Sequence, residues 1–99
     1  MTTIFTTAVF DSWFSRLRDK RASQRIQARI DRAESGNLGD CVPVGEGVSE
    51  MRVHYGPGYR VYFVQHRAEI IVLLAGGNKS TQTEDIKAAL LLARQVREQ

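Results

Sequence analysis

The sequence has few of the residues that build disulfides, metal sites or membrane segments, and each shortage excludes a class of protein. A single cysteine, Cys41, among 99 residues excludes an internal disulfide. There is no Cys-x-x-Cys pair and no cluster of histidine and cysteine, so we expect neither a metal nor another cofactor. No apolar run approaches the roughly 20 residues of a membrane-spanning helix, and the N-terminus lacks the basic and apolar regions of a signal peptide. We therefore expect a cytoplasmic protein without membrane contact.

Lysine is also scarce, whereas arginine is abundant. The chain has three lysines, eleven arginines and a net charge of +3. Guanidinium groups suit phosphate and carboxylate oxygens, so a nucleic acid or an acidic protein is a natural partner. The same charge could serve only to keep a small protein in solution, and composition leaves both interpretations open. The length predicts one domain, residues 1–99.

The stretch from Glu50 to Phe63 has the pattern of a β-hairpin. Two strand-like runs flank Gly-Pro-Gly at 56–58, where proline fixes φ and glycine accepts positive φ. Side chains alternate between the two faces of a strand. One face then collects the apolar residues Met51, Val53, Val61 and Phe63. The other collects Arg52, His54, Arg60 and Tyr62. Two guanidiniums, an imidazole and a phenol on one face predict a phosphate-binding surface.

Residues before the hairpin predict a strand over 2–6 and two helices. Thr7 can cap the first helix, and apolar stripes at helical spacing mark both helices. The stripes are Phe10, Trp13, Phe14 and Leu17, then Ala22, Ile26, Ile30 and Ala33. Packed together, the helices would form a helical hairpin. A ridge of Arg21, Arg25, Arg29 and Arg32 follows the second helix. We interpret it as a solvated face rather than an electrostatic rail for RNA.

The remaining segments complete an α+β order of β-α-α-β-β-β-α. Residues 41–47, interrupted by proline and glycine, suit a connector or an edge segment. The apolar run 69–75 predicts a strand buried on both faces, which Gly76 and Gly77 should end. Thr81 and Glu84 match a capping box that starts a C-terminal helix. We predict a small, mostly antiparallel sheet with an N-terminal helical hairpin and a C-terminal helix.

Lys79 adds a further cation to the basic face. It follows two glycines and precedes a helix N-terminus, an arrangement that suits an anion, although it also fits a simple strand-to-helix joint. RNA can be cut without a metal when its own 2′-hydroxyl attacks phosphorus, which needs cations and a proton carrier. Histidine exchanges a proton readily near neutral pH, so His54 is the favoured acid or base, with Lys79 and Tyr62 as competitors.

Several segments together resemble the RelE/ParE toxin superfamily, and within it the HigB-like branch of addiction module killer proteins. They are residues 21–26, 36–40, 47–52, 55–63 and 76–82. The resemblance implies the fold order given above and a type II toxin neutralised by a small antitoxin, often a helix-turn-helix protein. Contact with operator DNA would occur only through that antitoxin. Many members cut mRNA on the ribosome without a metal.

The resemblance also implies roles for individual residues. Arg60 matches the arginine that stabilises the scissile phosphate, Arg52 and His54 fall near the strand-borne basic residues of the family, and Lys79 lies in the segment that supplies a further basic group. From this we take Arg60, His54 and Lys79 as the catalytic residues. The residues expected to contact RNA are Arg52, Tyr59 and Tyr62. The tyrosine that RelE carries after the glycine segment is replaced by Gln82 and Thr83, so His54 takes its place as acid or base. Two alternatives remain: a ParE-type inhibitor of DNA gyrase, and a plain binding module for an acidic partner.

Overall fold

A five-stranded β-sheet with helices on both faces organises the described part of the chain. The computed structural model describes residues 2–97. The elements are β1 (Thr3–Thr6), α1 (Ala8–Ser15), α2 (Lys20–Glu34), β2 (Cys41–Gly45), β3 (Val48–Val53), β4 (Tyr59–His66), β5 (Ile70–Asn78) and α3 (Gln82–Arg97), with a 3₁₀ turn, Lys79–Thr81, before α3. No helix among these residues has both the length and the apolar character needed to cross a membrane.

The strand order across the sheet is β1-β5-β4-β3-β2. Strand β1 pairs parallel with β5, and the other pairings are antiparallel. The prediction of an α+β fold with a small, mostly antiparallel sheet is therefore confirmed. Strand β2 lies at the edge, where Pro43 does not interrupt an interior ladder. Its presence adds one strand to the predicted order.

The two faces of the sheet are covered by different helices. On one face the apolar stripes of α1 and α2 are confirmed as core, with Phe10, Ile26 and Ile30 buried against the sheet. On the other face α3 buries Ala89 and Ala93. Strand β5 lies between both layers, which explains its nearly continuous apolar sequence. The direct packing of α1 against α2 as a helical hairpin stays a prediction.

Gly76 and Gly77 do not end β5, contrary to our prediction. The strand continues to Asn78, and neither glycine adopts a positive φ. Both are needed for close approach instead. A Cβ at Gly76 would lie 2.2 Å from the ring of Trp13, and a Cβ at Gly77 would lie 1.7 Å from the Asp85 carboxylate. The missing side chain of each glycine therefore leaves room for another side chain to pack closely against one face of the sheet.

The predicted capping box of Thr81 and Glu84 is also wrong, although α3 begins at Gln82, directly after Thr81, as expected. The capping residue is Asn78, which caps the 3₁₀ turn before α3: its side-chain oxygen accepts the N–H of Ser80 at 2.9 Å. The Thr81 hydroxyl in turn accepts the N–H of Asn78 at 3.2 Å. Glu84 pairs on the surface with Lys87, at 3.6 Å. Asn78, the last residue of β5, therefore caps the turn that follows, and this turn holds Lys79 at the end of the strand.

Candidate functional site

The turn between β3 and β4 forms one wall of an open cleft of about 450 Å³. Strand β3 ends at Val53, opposite Tyr59, so residues 54–58 form a loop. His54 therefore lies in this loop and not on the strand, where the alternation had placed it. The loop closes through hydrogen bonds from the Tyr55 N–H to the Val53 carbonyl, 2.9 Å, and from the Gly58 N–H to the Tyr55 carbonyl, 3.1 Å. These bonds end the regular ladder before His54.

Four of the basic residues singled out from the sequence line this cleft: Arg52, His54, Arg60 and Lys79. The rest of the lining is the loop segment 55–58. Arg52 and Arg60 are directly paired across the two strands, and Lys79 comes from the turn before α3. None of the lining residues is acidic. A concave surface lined by one sign of charge concentrates anions.

Glu50 lies buried beside the two arginines and was missed by the sequence reasoning. Its side chain is 1% exposed. It accepts hydrogen bonds from the Tyr62 hydroxyl at 3.1 Å and from the Gln82 amide at 2.8 Å. The Nε atoms of Arg52 and Arg60 lie 3.4 and 3.5 Å from its two oxygens. A signal was present in the sequence, because Glu50 is the sole acid in either strand of the hairpin.

Neither tyrosine expected to contact RNA lines the cleft. Tyr62 is fully buried against α3, where it binds Glu50. Burial and the Glu50 carboxylate raise the pKa of this phenol far above its ordinary value, so it stays protonated at neutral pH. Tyr59 points to the opposite face and packs against Trp13, with ring centroids 6.4 Å apart. Alternation alone did not reveal that α3 covers Tyr62. Tyr59 is partly buried and packs against the apolar core on the other face.

His54 is paired with Asp40, a second acid that the sequence reasoning missed. The Nε2 atom of His54 lies 2.5 Å from the Asp40 carboxylate. A hydrogen bond from the imidazole lowers the pKa of this carboxyl below its ordinary value. The Asp40 carbonyl also accepts the N–H of Arg52 at 3.0 Å, which fixes the acid beside the end of β3. The pair thus orients an otherwise exposed imidazole at the rim of the cleft.

The arginines of α2 do not form a uniform solvated ridge. Arg29 is half-buried and donates to the carbonyls of Arg52, Leu38 and Asp40. It therefore anchors the loop that carries Asp40. The Arg25 guanidinium lies over the ring of Tyr55, 4.8 Å from its centroid. The predicted solvated face holds for parts of α2, but these two arginines support the walls of the cleft.

The arrangement can hold a phosphodiester among three cations and present an imidazole to it. Arg60 is the most enclosed of the three, with its side chain 13% exposed, while Arg52 is 38% exposed. Such fixed donors are the means by which proteins stabilise charge that develops on a reacting phosphate. Within residues 2–97, no group of three or more His, Cys, Asp or Glu side chains is placed to hold a metal ion.

Comparison with known proteins supplies one clear relationship. No family model matches the chain. A protein of Haemophilus influenzae strain Rd, described as "Uncharacterized protein", is 48% identical over 93 residues, which cover 94% of each chain. Identity at this level over nearly the whole length indicates a shared fold. The chain therefore belongs to the same protein family as this Haemophilus influenzae protein.

Proposed function

We propose that the protein is the toxin of a type II toxin-antitoxin system and acts as a ribosome-dependent mRNA endonuclease. The observation that carries the proposal is the cleft, which gathers Arg52, Arg60, Lys79 and His54 without an acid in its lining. Three cations around one concave surface suit the charge that builds up on a phosphodiester under attack. An exposed imidazole beside them supplies the proton carrier that such a reaction needs.

In the proposed reaction the ribose 2′-oxygen attacks the adjacent phosphorus and the 5′-oxygen leaves. Arg60 stabilises the non-bridging oxygens from the floor of the cleft, and Arg52 and Lys79 add charge from its two sides. His54, held by Asp40, transfers the protons of the attacking and leaving oxygens. Tyr62 has no part in this step because it is buried and bound to Glu50.

The proposal includes the fold and the partners of the RelE/ParE superfamily. Helices α1 and α2 would form its N-terminal helical hairpin, and β2 would be an additional edge strand. A small antitoxin, with a helix-turn-helix domain for operator DNA, would neutralise the protein in the cytoplasm. The ribosome would present the mRNA to the cleft. Fold likeness alone does not determine activity, so the proposal depends on the residues of the cleft.

Induction of the protein in a bacterial host tests the proposal. Primer extension on cellular mRNA should show new in-frame 5′ ends as growth stops, and Arg60→Ala should show neither. Growth arrest without new mRNA ends would overturn the nuclease activity. Gyrase-dependent DNA cleavage complexes under those conditions would instead identify a ParE-type inhibitor. If overproduction of the folded protein without an antitoxin does not slow growth, the remaining interpretation is a binding module for an acidic partner.

A further inference from the structure

The proposed reaction does not use the carboxylate of Glu50, which lies buried behind the cleft. It lies among donors from three elements of the structure: Arg52 on β3, Arg60 and Tyr62 on β4, and Gln82 on α3. Burying a charge is expensive unless several hydrogen bonds satisfy it. A glutamate placed behind a basic cleft also reduces the local positive charge. Its position therefore needs an explanation beyond attraction of anions.

The contacts of the two arginines supply that explanation. Both turn their Nε atoms toward Glu50, at 3.4 and 3.5 Å. The Nε atom of Arg60 is buried and has no hydrogen-bond partner of good geometry, so its one strong attraction is the Glu50 oxygen. On the other side of the group, Arg60 Nη1 lies 3.4 Å from the Gly58 carbonyl in the wall of the cleft. The guanidinium is thus held at its buried Nε atom, and Arg60 at the same time lines the cleft.

We infer that Glu50 is a positioning residue, which holds Arg60 and Arg52 as a two-arginine clamp for one phosphodiester. The inference rests on the proposed function for the identity of the ligand, RNA, but the positioning itself does not. A planar guanidinium fork binds phosphate well only when its direction is fixed. Glu50 fixes that direction from inside the protein without reaching the cleft.

Coulomb attraction and positioning predict opposite results for the isosteric variant Glu50→Gln. Removal of a negative charge beside a basic cleft should strengthen the binding of a polyanion. If Glu50 instead positions the arginines, binding should weaken by roughly tenfold or more, because each arginine loses its charged partner. The matched control is Gln82→Met, which removes a neutral donor from the same carboxylate and leaves both arginines in place.

The experiment measures binding of a single-stranded RNA oligonucleotide whose 2′-hydroxyls are all converted to 2′-O-methyl groups, so that none of them can attack a phosphorus. We expect weaker binding by Glu50→Gln, intermediate binding by Glu50→Asp, and binding within about twofold of wild type by Gln82→Met. All four proteins are compared at temperatures where circular dichroism shows them folded. Unchanged or stronger binding by Glu50→Gln would overturn the inference.

A nuclear magnetic resonance measurement separates this inference from the proposed function. In wild type, the buried Arg60 Nε–H should give a resolved, slowly exchanging signal at neutral pH, assigned with Arg60→Lys. The signal should broaden or vanish in Glu50→Gln and persist in Gln82→Met. Persistence in both would overturn the positioning role. If wild type leaves ribosome-bound mRNA intact, the proposed function fails, while the Arg60 signal still decides whether Glu50 holds the guanidinium.

Discussion

On the β3–β4 hairpin, the face toward α1 and α2 and the face toward α3 differ in the side chains that they bury. The first, the apolar face, contributes four apolar residues to the larger core: Met51, Val53, Val61 and Phe63. The second, the polar face, buries Val48 against α3 but also carries two arginines, a tyrosine and a glutamate: Glu50, Arg52, Arg60 and Tyr62. The same two strands in one register support both faces, so differences of topology do not explain the contrast.

The contrast separates the side chains that stabilise the fold from the side chains that form the cleft. Burial of apolar side chains stabilises by about 25 cal/mol per Å², which accounts for the first face. A buried charged cluster is a weak source of stability, because hydrophobic residues of the same volume often stabilise as much or more. The polar face is therefore better explained by the cleft that its arginines line. Substitutions on the two faces should then affect different properties.

Phe63→Ala should give the largest effect, on the apolar face. Phe63 is 2% exposed, and removal of a buried phenylalanine costs about 3–5 kcal/mol of unfolding free energy. Denaturant unfolding followed by circular dichroism measures this loss. The matched control is Phe5→Ala, because Phe5 is 52% exposed and should change stability by less than about 0.5 kcal/mol. Similar losses from both variants would contradict the assignment of the core.

Arg60→Ala should affect activity more than stability. Removal of a fixed donor to a developing charge typically lowers a rate by about 10²–10³-fold. Survival of host cells after induction, counted as colonies, should rise by a comparable factor, while the unfolding free energy falls by less than in Phe63→Ala. The control is Arg18→Ala, since Arg18 is exposed and lies between α1 and α2. Equal toxicity of the two variants would show that Arg60 does not belong to the functional site.

Gly76→Ala tests the apolar face at the point where β5 passes α1. The added methyl would meet the ring of Trp13, which is itself packed against Phe10 and Tyr59. Overpacking of this kind costs about 1–3 kcal/mol. Gly77→Ala should cost less in thermal unfolding, because the Asp85 carboxylate that it meets ends an adaptable side chain. The reverse order would show that the first turn of α3, which carries Asp85, is the more rigid neighbour.

Tyr62→Phe should change the unfolding free energy least of these variants at neutral pH and should change it clearly at alkaline pH. The pKa of this phenol is raised by burial and by Glu50, so the native state keeps its proton at pH values where the unfolded chain loses it. Stability linked to Tyr62 is therefore complete below the ordinary value of 10.0 and is lost as pH rises above it. The decline of unfolding free energy with pH should be shallower in Tyr62→Phe. An identical decline in both proteins would place this tyrosine in solvent.

The local patterns predicted the apolar face well and the polar face incompletely. Alternation identified Met51 and Val61 as core, and helical spacing identified Ile26 and Ile30, because each signal is contained in one short segment. The roles of Gly76 and Gly77 were misjudged, since close approach to a distant side chain cannot be distinguished locally from a strand break.

The two missed acids have the same cause. Glu50 is bound by Tyr62 and Gln82, which are 12 and 32 residues away, and Asp40 meets His54 across 14 residues. Such pairs depend on the register of the sheet and on the placement of α3, which a single sequence does not specify. The individual basic residues could be selected from alternation and from the Gly-Gly-x-Lys segment. The pairing of these basic residues with Glu50 and Asp40 could not be predicted in this way.

Cleavage of ribosome-bound mRNA by the purified protein tests the proposed role of the cleft most directly. Ribosomes programmed with a defined mRNA are mixed with wild type or with Arg60→Ala, and the mRNA ends are mapped by primer extension. We predict new in-frame ends with wild type and a rate about 10²–10³-fold lower with Arg60→Ala. Intact mRNA in the presence of folded wild-type protein, or equal cleavage by Arg60→Ala, would contradict the proposal.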